Sequence, residues 1–177
     1  MKKEKFITKY KKTKCFKIAK FSEKDLKNYK YKEPSTFFSF FWQKYESSVR
    51  GMKLNNTYNG TAFAIVLCYL FFRENIEIKK MDEDVGIFGI KPDFLIDTKS
   101  GKEIFLSIKT SGRERWKQAD WEAIKYKEKF PDTQCILLMN HEKEVNTAKK
   151  KVPYITLDKI LYARSKDLDD LVNLLKR

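Results

Sequence analysis

The feature that most constrains the fold of this chain is a predicted hairpin strand followed almost at once by a helix. Polar and apolar residues alternate along EIFLSIKT (103–110), which is typical of a β-strand, and the preceding TKSGK (98–102) predicts a hairpin turn. After Gly112 the periodicity is helical through about Phe130, and TQCILLMN (133–140) predicts a buried strand. Because the link SGR is so short, we expect the helix to cover one face of a mixed sheet.

The remaining segments predict helices before this hairpin and short elements on both sides of it. The predicted helices are 22–30, 35–52, 61–74 and 142–150, with one or two more at the C-terminus. The predicted short strands are IEIKK (76–80), VGIFGI (85–90), KPDFLID (91–97) and one around PYITL (153–157). Pro34 should interrupt the chain and leave Ser35 as the N-cap of the next helix. The expected fold class is α/β, with a mixed central sheet flanked by helices.

The positive charge of the chain is concentrated at its N-terminus. Residues 1–33 contain 13 lysines and four acidic residues, so +9 of the net charge of +14 lies in that segment. This pattern allows either a solubilising tail or a surface for a polyanion such as nucleic acid. Six aromatic residues are interleaved with the lysines, which favours partial packing over disorder. We expect a Lys-rich extension (1–33), partly packed on a single domain (34–177), with lysines facing a phosphate backbone.

Cysteine usage and hydropathy exclude several other classes of protein. The three cysteines, Cys15, Cys68 and Cys135, lack the pair spacing of a disulfide framework or a zinc site. The most apolar run, GTAFAIVLCYLFF (60–72), is too short to span a bilayer, and the N-terminus has no apolar signal segment. We therefore expect a cytoplasmic protein that does not interact with a membrane.

A candidate site follows from the hairpin, because the hairpin lays two strands side by side. Asp93, directly after Pro92 at the start of one strand, would then lie near Lys109 at the end of the other. Ser107 and Lys109 share one face of their strand. An aspartate beside a lysine is often only a surface ion pair of little energetic value. The alternative is a hydrolytic site, in which the carboxylate holds Mg²⁺ and the lysine steers or deprotonates the attacking water.

The spacing of these residues resembles the motif of the PD-(D/E)XK nucleases. In that motif Pro-Asp is followed, after a hairpin, by an acidic residue, any residue and a lysine. Here the corresponding residues are Pro92-Asp93 and Ser107-Ile108-Lys109, and the resemblance extends over about residues 58–140. Ser107 departs from the pattern, because an aspartate or glutamate is expected at its position. A single aspartate makes a poor site for phosphodiester hydrolysis, so another carboxylate should replace the missing one.

One branch of this family carries that acid on the following helix. In restriction endonucleases that cut CCGG-like and CC-N-GG-like sites, a glutamate lies about 13 or 14 residues past the lysine, and Glu122 lies 13 residues past Lys109. The resemblance implies that Asp93 and Glu122 hold Mg²⁺ with help from the Ile108 carbonyl. It also implies that Lys109 positions or activates the water and that Ser107 lines the site without ligating the metal.

The geometry of the predicted helix is compatible with this role for Glu122. Arg115, Gln118 and Glu122 follow an i, i+3, i+7 pattern and therefore lie on one face, while Ala119 and Ala123 lie on the core side. Taken alone, Glu122 could equally be a solvated helix residue. Its order after Asp93, Ser107 and Lys109 favours the catalytic interpretation.

The segment RER (113–115) is a candidate DNA-reading element. In the same restriction-enzyme branch, a short arginine-acid-arginine element between the lysine and the glutamate reads C·G pairs. Arginine can make a bidentate contact to guanine, and a carboxylate can accept a hydrogen bond from cytosine. We predict that Arg113, Glu114 and Arg115 contact DNA, together with Gln118. The alternative is that the arginines only hold the phosphate backbone.

These features predict a Mg²⁺-dependent type II restriction endonuclease that acts on double-stranded DNA at a site containing C·G pairs. A double-strand cut needs two active sites, so a homodimer is the simplest expectation. The alternatives are a nicking, repair or resolving nuclease of the same fold, and a non-catalytic DNA-binding module in which Ser107 marks a decayed site. RNA is also open as a substrate, since no sequence feature reads a 2′-hydroxyl.

Overall fold

The computed structural model describes residues 13–54, 56–81, 84–87, 89–110, 115–150 and 155–177. Its helices are α1 (Lys14–Ile18), α2 (Glu23–Asn28), α3 (Pro34–Val49), α4 (Asn56–Arg73), α5 (Arg115–Lys129), α6 (Glu142–Lys149) and α7 (Lys166–Leu175). Its strands are β1 (Ile78–Lys80), β2 (Phe94–Asp97), β3 (Glu103–Lys109), β4 (Gln134–Met139) and β5 (Lys159–Tyr162).

The strands form one mixed sheet in the order β1-β2-β3-β4-β5. The first three strands are antiparallel, and the turn over residues 98–102 pairs Asp97 with Glu103. Strands β3, β4 and β5 are parallel, with Lys109 level with Met139. The prediction of an α/β fold with a mixed sheet flanked by helices is confirmed.

Apolar side chains cover both faces of the sheet. On one face, Ile104, Leu106 and Ile108 of β3 pack with α1–α4 and α7. On the other face, Phe105 of β3 packs with α5, α6 and the neighbouring strands. The central strand is therefore buried on both sides, which is typical of a sheet with parallel strands and crossover helices.

Residues 13–33 contribute directly to the apolar layer. Phe21 and Leu26 are buried in the same cluster as α3 and α4. Ser22 caps α2, because its Oγ accepts a hydrogen bond from the Asp25 amide at 3.3 Å. The segment is thus anchored by aromatic and aliphatic packing, and most of its described lysines are exposed.

Helix α3 begins one residue earlier than the sequence predicts. Pro34 is its first residue rather than a break before it, since proline lacks only an N–H that has no partner in the first turn. Ser35 is therefore not the N-cap. Its amide and hydroxyl donate hydrogen bonds to the Asp169 carboxylate of α7, at 2.7 and 3.0 Å. A residue 134 positions away thus supplies the acceptor at the start of α3.

The prediction of a strand around PYITL is wrong for the residues that the structure describes there. Residues 155–157 are not in a strand, and β5 runs instead from Lys159 to Tyr162. The amides of Thr156 and Leu157 donate to the side chain of Asp120 at 2.6 and 3.2 Å, so they are not part of the ladder. Backbone pairing with β4 starts only at Asp158, whose amide donates to the Cys135 carbonyl.

The prediction of a strand at VGIFGI is also wrong for its described residues, 85–87 and 89–90. Gly86 and Gly89 have φ angles of +75° and +76°, which reverse the chain instead of extending it. The Ile90 amide closes this turn by donating to the Ile87 carbonyl at 3.0 Å.

All three cysteines are buried as free thiols. Burial raises the pKa of the Cys15 thiol to about 11 and that of Cys135 to about 12, so these side chains behave as small apolar groups. Within the described ranges, no helix combines the length and the apolar character needed to cross a bilayer.

Candidate active site

Sheet topology brings the predicted site residues to one edge of the sheet. Because β2 runs antiparallel to β3, the residue just before β2 lies beside the carboxyl end of β3. That residue is Asp93, whose Oδ2 accepts a hydrogen bond from the Ile108 amide at 2.7 Å. The same oxygen lies 3.5 Å from Lys109 Nζ. A backbone hydrogen bond therefore fixes the carboxylate next to the lysine.

Ser107 connects this aspartate to helix α5. Its side chain is buried, and its Oγ lies 3.3 Å from Asp93 Oδ2 and 3.4 Å from Glu122 Oε2. A hydroxyl has one proton, so it can donate to only one of these carboxylates at a time. The serine thus occupies the position between the two acids and adds no negative charge there.

Glu122 lies on the face of α5 that borders the site. Its side chain is 13% exposed, and its Oε2 lies 4.0 Å from Lys109 Nζ. Burial raises the pKa of Glu122 above its ordinary value, whereas the Lys109 ammonium and the hydrogen bond from Gln118 oppose that rise. The structure therefore brings Asp93, Ser107 and Glu122 together beside Lys109.

The exposed face of α5 forms a short hydrogen-bonded chain that ends at Glu122. Arg115 donates to Gln118 Oε1 at 3.1 Å, and Gln118 Nε2 donates to Glu122 Oε1 at 2.8 Å. Both ends of the Gln118 amide are thereby engaged. This arrangement gives Gln118 an orienting role for Glu122, and it leaves one N–H of the Gln118 amide for the predicted DNA contact. Arg113 and Glu114 lie outside the described residues.

The donor set of the site fits Mg²⁺. Hard divalent cations prefer oxygen ligands, and Mg²⁺ is usually bound through one or two carboxylates that leave several waters in place. Asp93 and Glu122 supply two carboxylates with oxygen atoms near the same serine hydroxyl, and the Ile108 carbonyl belongs to the same strand end. Among the described residues, no group of three or more His, Cys, Asp or Glu offers a richer site.

Two further polar residues lie at this edge that the sequence reasoning missed. Asn140 directly follows β4, and its amide donates to the Lys109 carbonyl at 3.3 Å. Arg164 follows β5 and donates through Nε to Asn140 Oδ1 at 3.0 Å. The available signal was the end of a predicted parallel strand at Asn140. A strand at PYITL ends well before Arg164, so the sequence does not predict that Arg164 follows a strand.

Comparison with known proteins supports the fold. No family model matches the chain, and no curated protein matches it by sequence. Among solved structures, the chain is similar to the restriction endonuclease PspGI in complex with its substrate DNA. The TM-score is 0.59 at 20% sequence identity, over 92% of this chain and 76% of that one.

The sheet, its flanking helices and this similarity define a restriction-endonuclease-like fold. Asp93, Lys109 and Glu122 lie together at one edge of that sheet. Two carboxylates beside a lysine are groups that can serve metal-assisted hydrolysis.

Proposed function

We propose that this protein is a Mg²⁺-dependent endonuclease that hydrolyses phosphodiester bonds of double-stranded DNA, as a type II restriction enzyme of the branch with the relocated glutamate. The observation that carries the proposal is that Asp93, just before β2, and Glu122 of α5 both lie beside the buried hydroxyl of Ser107 and beside the Lys109 ammonium at the end of β3. The fold similarity to a restriction endonuclease bound to substrate DNA supports the same substrate class.

Each residue has a role that its contacts support. Asp93 and Glu122 would hold the cation, which supplies Lewis-acid stabilisation of the charge that develops on the phosphate. Lys109 lies beside both carboxylates with its side chain only 13% exposed, so water competes little for its ammonium group. That ammonium orients the attacking water and stabilises the developing negative charge, whereas the neutral amine form of Lys109 would take up the proton of the water.

The relocation of the acid has a structural rationale. A glutamate at position 107 would place a second carboxylate directly beside Asp93 in a buried strand. Ser107 instead leaves that space to Glu122, which reaches the same point from α5 and is oriented by Gln118. The described site is therefore a complete arrangement of two acids and one lysine, which argues against a decayed, purely DNA-binding module.

Digestion of a plasmid in Mg²⁺, followed by sequencing of the ends, tests the function. We expect discrete fragments with identical terminal sequences containing C·G pairs, and no cleavage when EDTA replaces Mg²⁺. Nicked circles alone would favour the nicking alternative, and binding without cleavage at any divalent metal would favour the non-catalytic module.

Measuring the molar mass in solution with and without DNA tests the proposed homodimer, in which each copy would cut one strand.

Arg115, the first residue of α5, and Arg113, which lies outside the described residues, are proposed to read bases. Arg113→Ala and Arg115→Ala should each cost about 1–3 kcal/mol of discrimination at one base pair, because a bidentate arginine–guanine contact is lost. Affinities for the cleaved sequence and for a random duplex, measured by anisotropy at fixed salt, give the discrimination directly. An equal loss on both duplexes would show that these arginines only grip the backbone.

A further inference from the structure

The parallel strands align a second cationic group with the candidate active site. Lys109, Met139 and Tyr162 are level across β3, β4 and β5. Pairing continues one residue further, because the Ala163 amide donates to the Met139 carbonyl at 2.9 Å. Arg164 therefore leaves the sheet at the edge where Lys109 ends its strand. Two strand spacings separate the strands that carry these residues, or about 10 Å.

The guanidinium of Arg164 is held at this edge by two acceptors. Its Nε donates to Asn140 Oδ1 at 3.0 Å, and its Nη2 forms an ion pair with Glu46 of α3. The backbone amide of Asn140 donates in turn to the Lys109 carbonyl, so the arginine is fixed relative to β3. The arginine side chain is 23% exposed, whereas that of Glu46 is 50% exposed.

We infer that Arg164 binds a backbone phosphate of the DNA strand that is cut, and that Glu46 occupies the guanidinium in the absence of DNA. The inference rests on the proposed function and adds to it a contact that the nuclease motif does not include. The strands that carry the two residues lie about 10 Å apart and successive phosphates of one strand rise by about 3.4 Å along the helix axis, so the contact falls on a phosphate close to the scissile one.

The surroundings of Arg164 favour a phosphate as the ligand. Arginine presents a planar set of donors that matches phosphate oxygens, and within the described part of the chain two of its five donors are committed, to Asn140 and Glu46. The side chain also borders an open groove of about 400 Å³, whose polar lining includes Ser39 and Gln43 of α3. Glu46 is half-exposed and its Oε1 also accepts a hydrogen bond from Trp42 Nε1 at 2.8 Å, so a phosphate can replace it at Arg164 without leaving a buried, unpaired charge.

Salt-dependent DNA binding tests this inference through two variants with opposite expected effects. Binding of a labelled random duplex is measured by anisotropy in EDTA over a series of KCl concentrations. Arg164→Ala should weaken binding to all sequences alike and reduce the slope of log affinity against log salt by about 0.9, the loss of one phosphate contact. Glu46→Gln removes the competing carboxylate, so it should tighten binding with no loss of slope.

Lys79→Ala provides the matched control. Lys79 is also a cation held by carboxylates, Asp97 and Glu103, but it lies at the opposite edge of the sheet. Its removal should leave the salt slope unchanged. Thermal melting checks that each variant folds, and Glu46→Gln retains Arg164, so the proposal stays testable if Arg164→Ala does not fold.

An unchanged slope for a folded Arg164→Ala, or weaker binding by Glu46→Gln, would overturn the inference and leave an ion pair that only joins α3 to the sheet. In that case the wild-type protein would still cleave, and the proposed function would stand. A wild-type protein that binds no duplex at any salt concentration would overturn both proposals.

Discussion

Lys109→Ala is expected to lower the cleavage rate by about 10²- to 10⁴-fold while leaving DNA affinity within a small factor of the wild-type value. The lysine is a cation that lies beside both carboxylates, and a positioned proton-transfer residue contributes an effect of this size. Affinity should persist, because the proposed DNA contacts come from the arginines and from the basic surface. Single-turnover cleavage and anisotropy on the same duplex give the two quantities separately.

Lys125→Ala is the matched control for this experiment. Lys125 lies on α5, the helix that carries Glu122, but it is 40% exposed and pairs with Glu128 at 2.9 Å. It should cleave at the wild-type rate. If Lys109→Ala also cleaved at that rate, the assignment of the active site would have to be abandoned.

Glu122→Ala should abolish Mg²⁺-dependent cleavage as completely as Asp93→Ala. Both variants remove one of the two carboxylates that are proposed to hold the metal. Adding Ser107→Glu to Glu122→Ala returns an acid to the strand, and the structure shows where it would fit. Ser107 Oγ lies 3.4 Å from Glu122 Oε2, so truncating Glu122 opens the space that the new side chain needs. We expect partial recovery of the cleavage rate in the double variant.

A stability measurement distinguishes a metal ligand from a structural glutamate. Burial raises the pKa of Glu122 in the folded state above its value in the unfolded chain. The ionised carboxylate therefore lowers the free energy of unfolding once the pH rises above the pKa of an unfolded glutamate. Glu122→Gln should therefore melt at or above the wild-type temperature at neutral pH without metal, and yet fail to cleave. A large fall in melting temperature would indicate a structural role instead.

Retained activity in Glu122→Ala would mean that another acid supplies the ligand. Glu103 does not meet that need, because it lies at the far end of β3 and accepts hydrogen bonds from Tyr126 at 2.8 Å and Thr133 at 3.1 Å. Its ion pair with Lys79 closes that end of the hairpin. The remaining candidate is Glu114, outside the described residues.

The parts of the fold that follow from local signals could be predicted from the sequence. The turn over residues 98–102 sets the register of the hairpin, and that register alone brings Asp93 to Lys109. Helical periodicity likewise predicts that Gln118 and Glu122 share a face, as their hydrogen bond shows. These contacts depend on residues that are neighbours in the chain or across one tight turn.

The parts that failed depend on partners distant in sequence. PYITL has good strand-forming residues, but Asp120 of α5 binds the amides of Thr156 and Leu157, and the ladder begins later. The start of α3 depends on Asp169, and the placement of Arg164 depends on where β5 ends. No local pattern encodes these contacts, so propensity alone assigned the wrong boundaries.

The bond between Ser35 and Asp169 has a consequence for how the chain folds. The aromatic-rich layer formed by α1–α4 shares its core with Leu168 and Val172 of α7, which follows all the other described helices in the chain. Contacts with this sequence separation give a high contact order and slow the search for the native state. The N-terminal helices therefore leave the ribosome with an apolar surface still uncovered, a state that is prone to aggregation. Chaperone demand should accordingly be greatest before α7 emerges, even though the hairpin of β2 and β3 joins residues within one short stretch of chain.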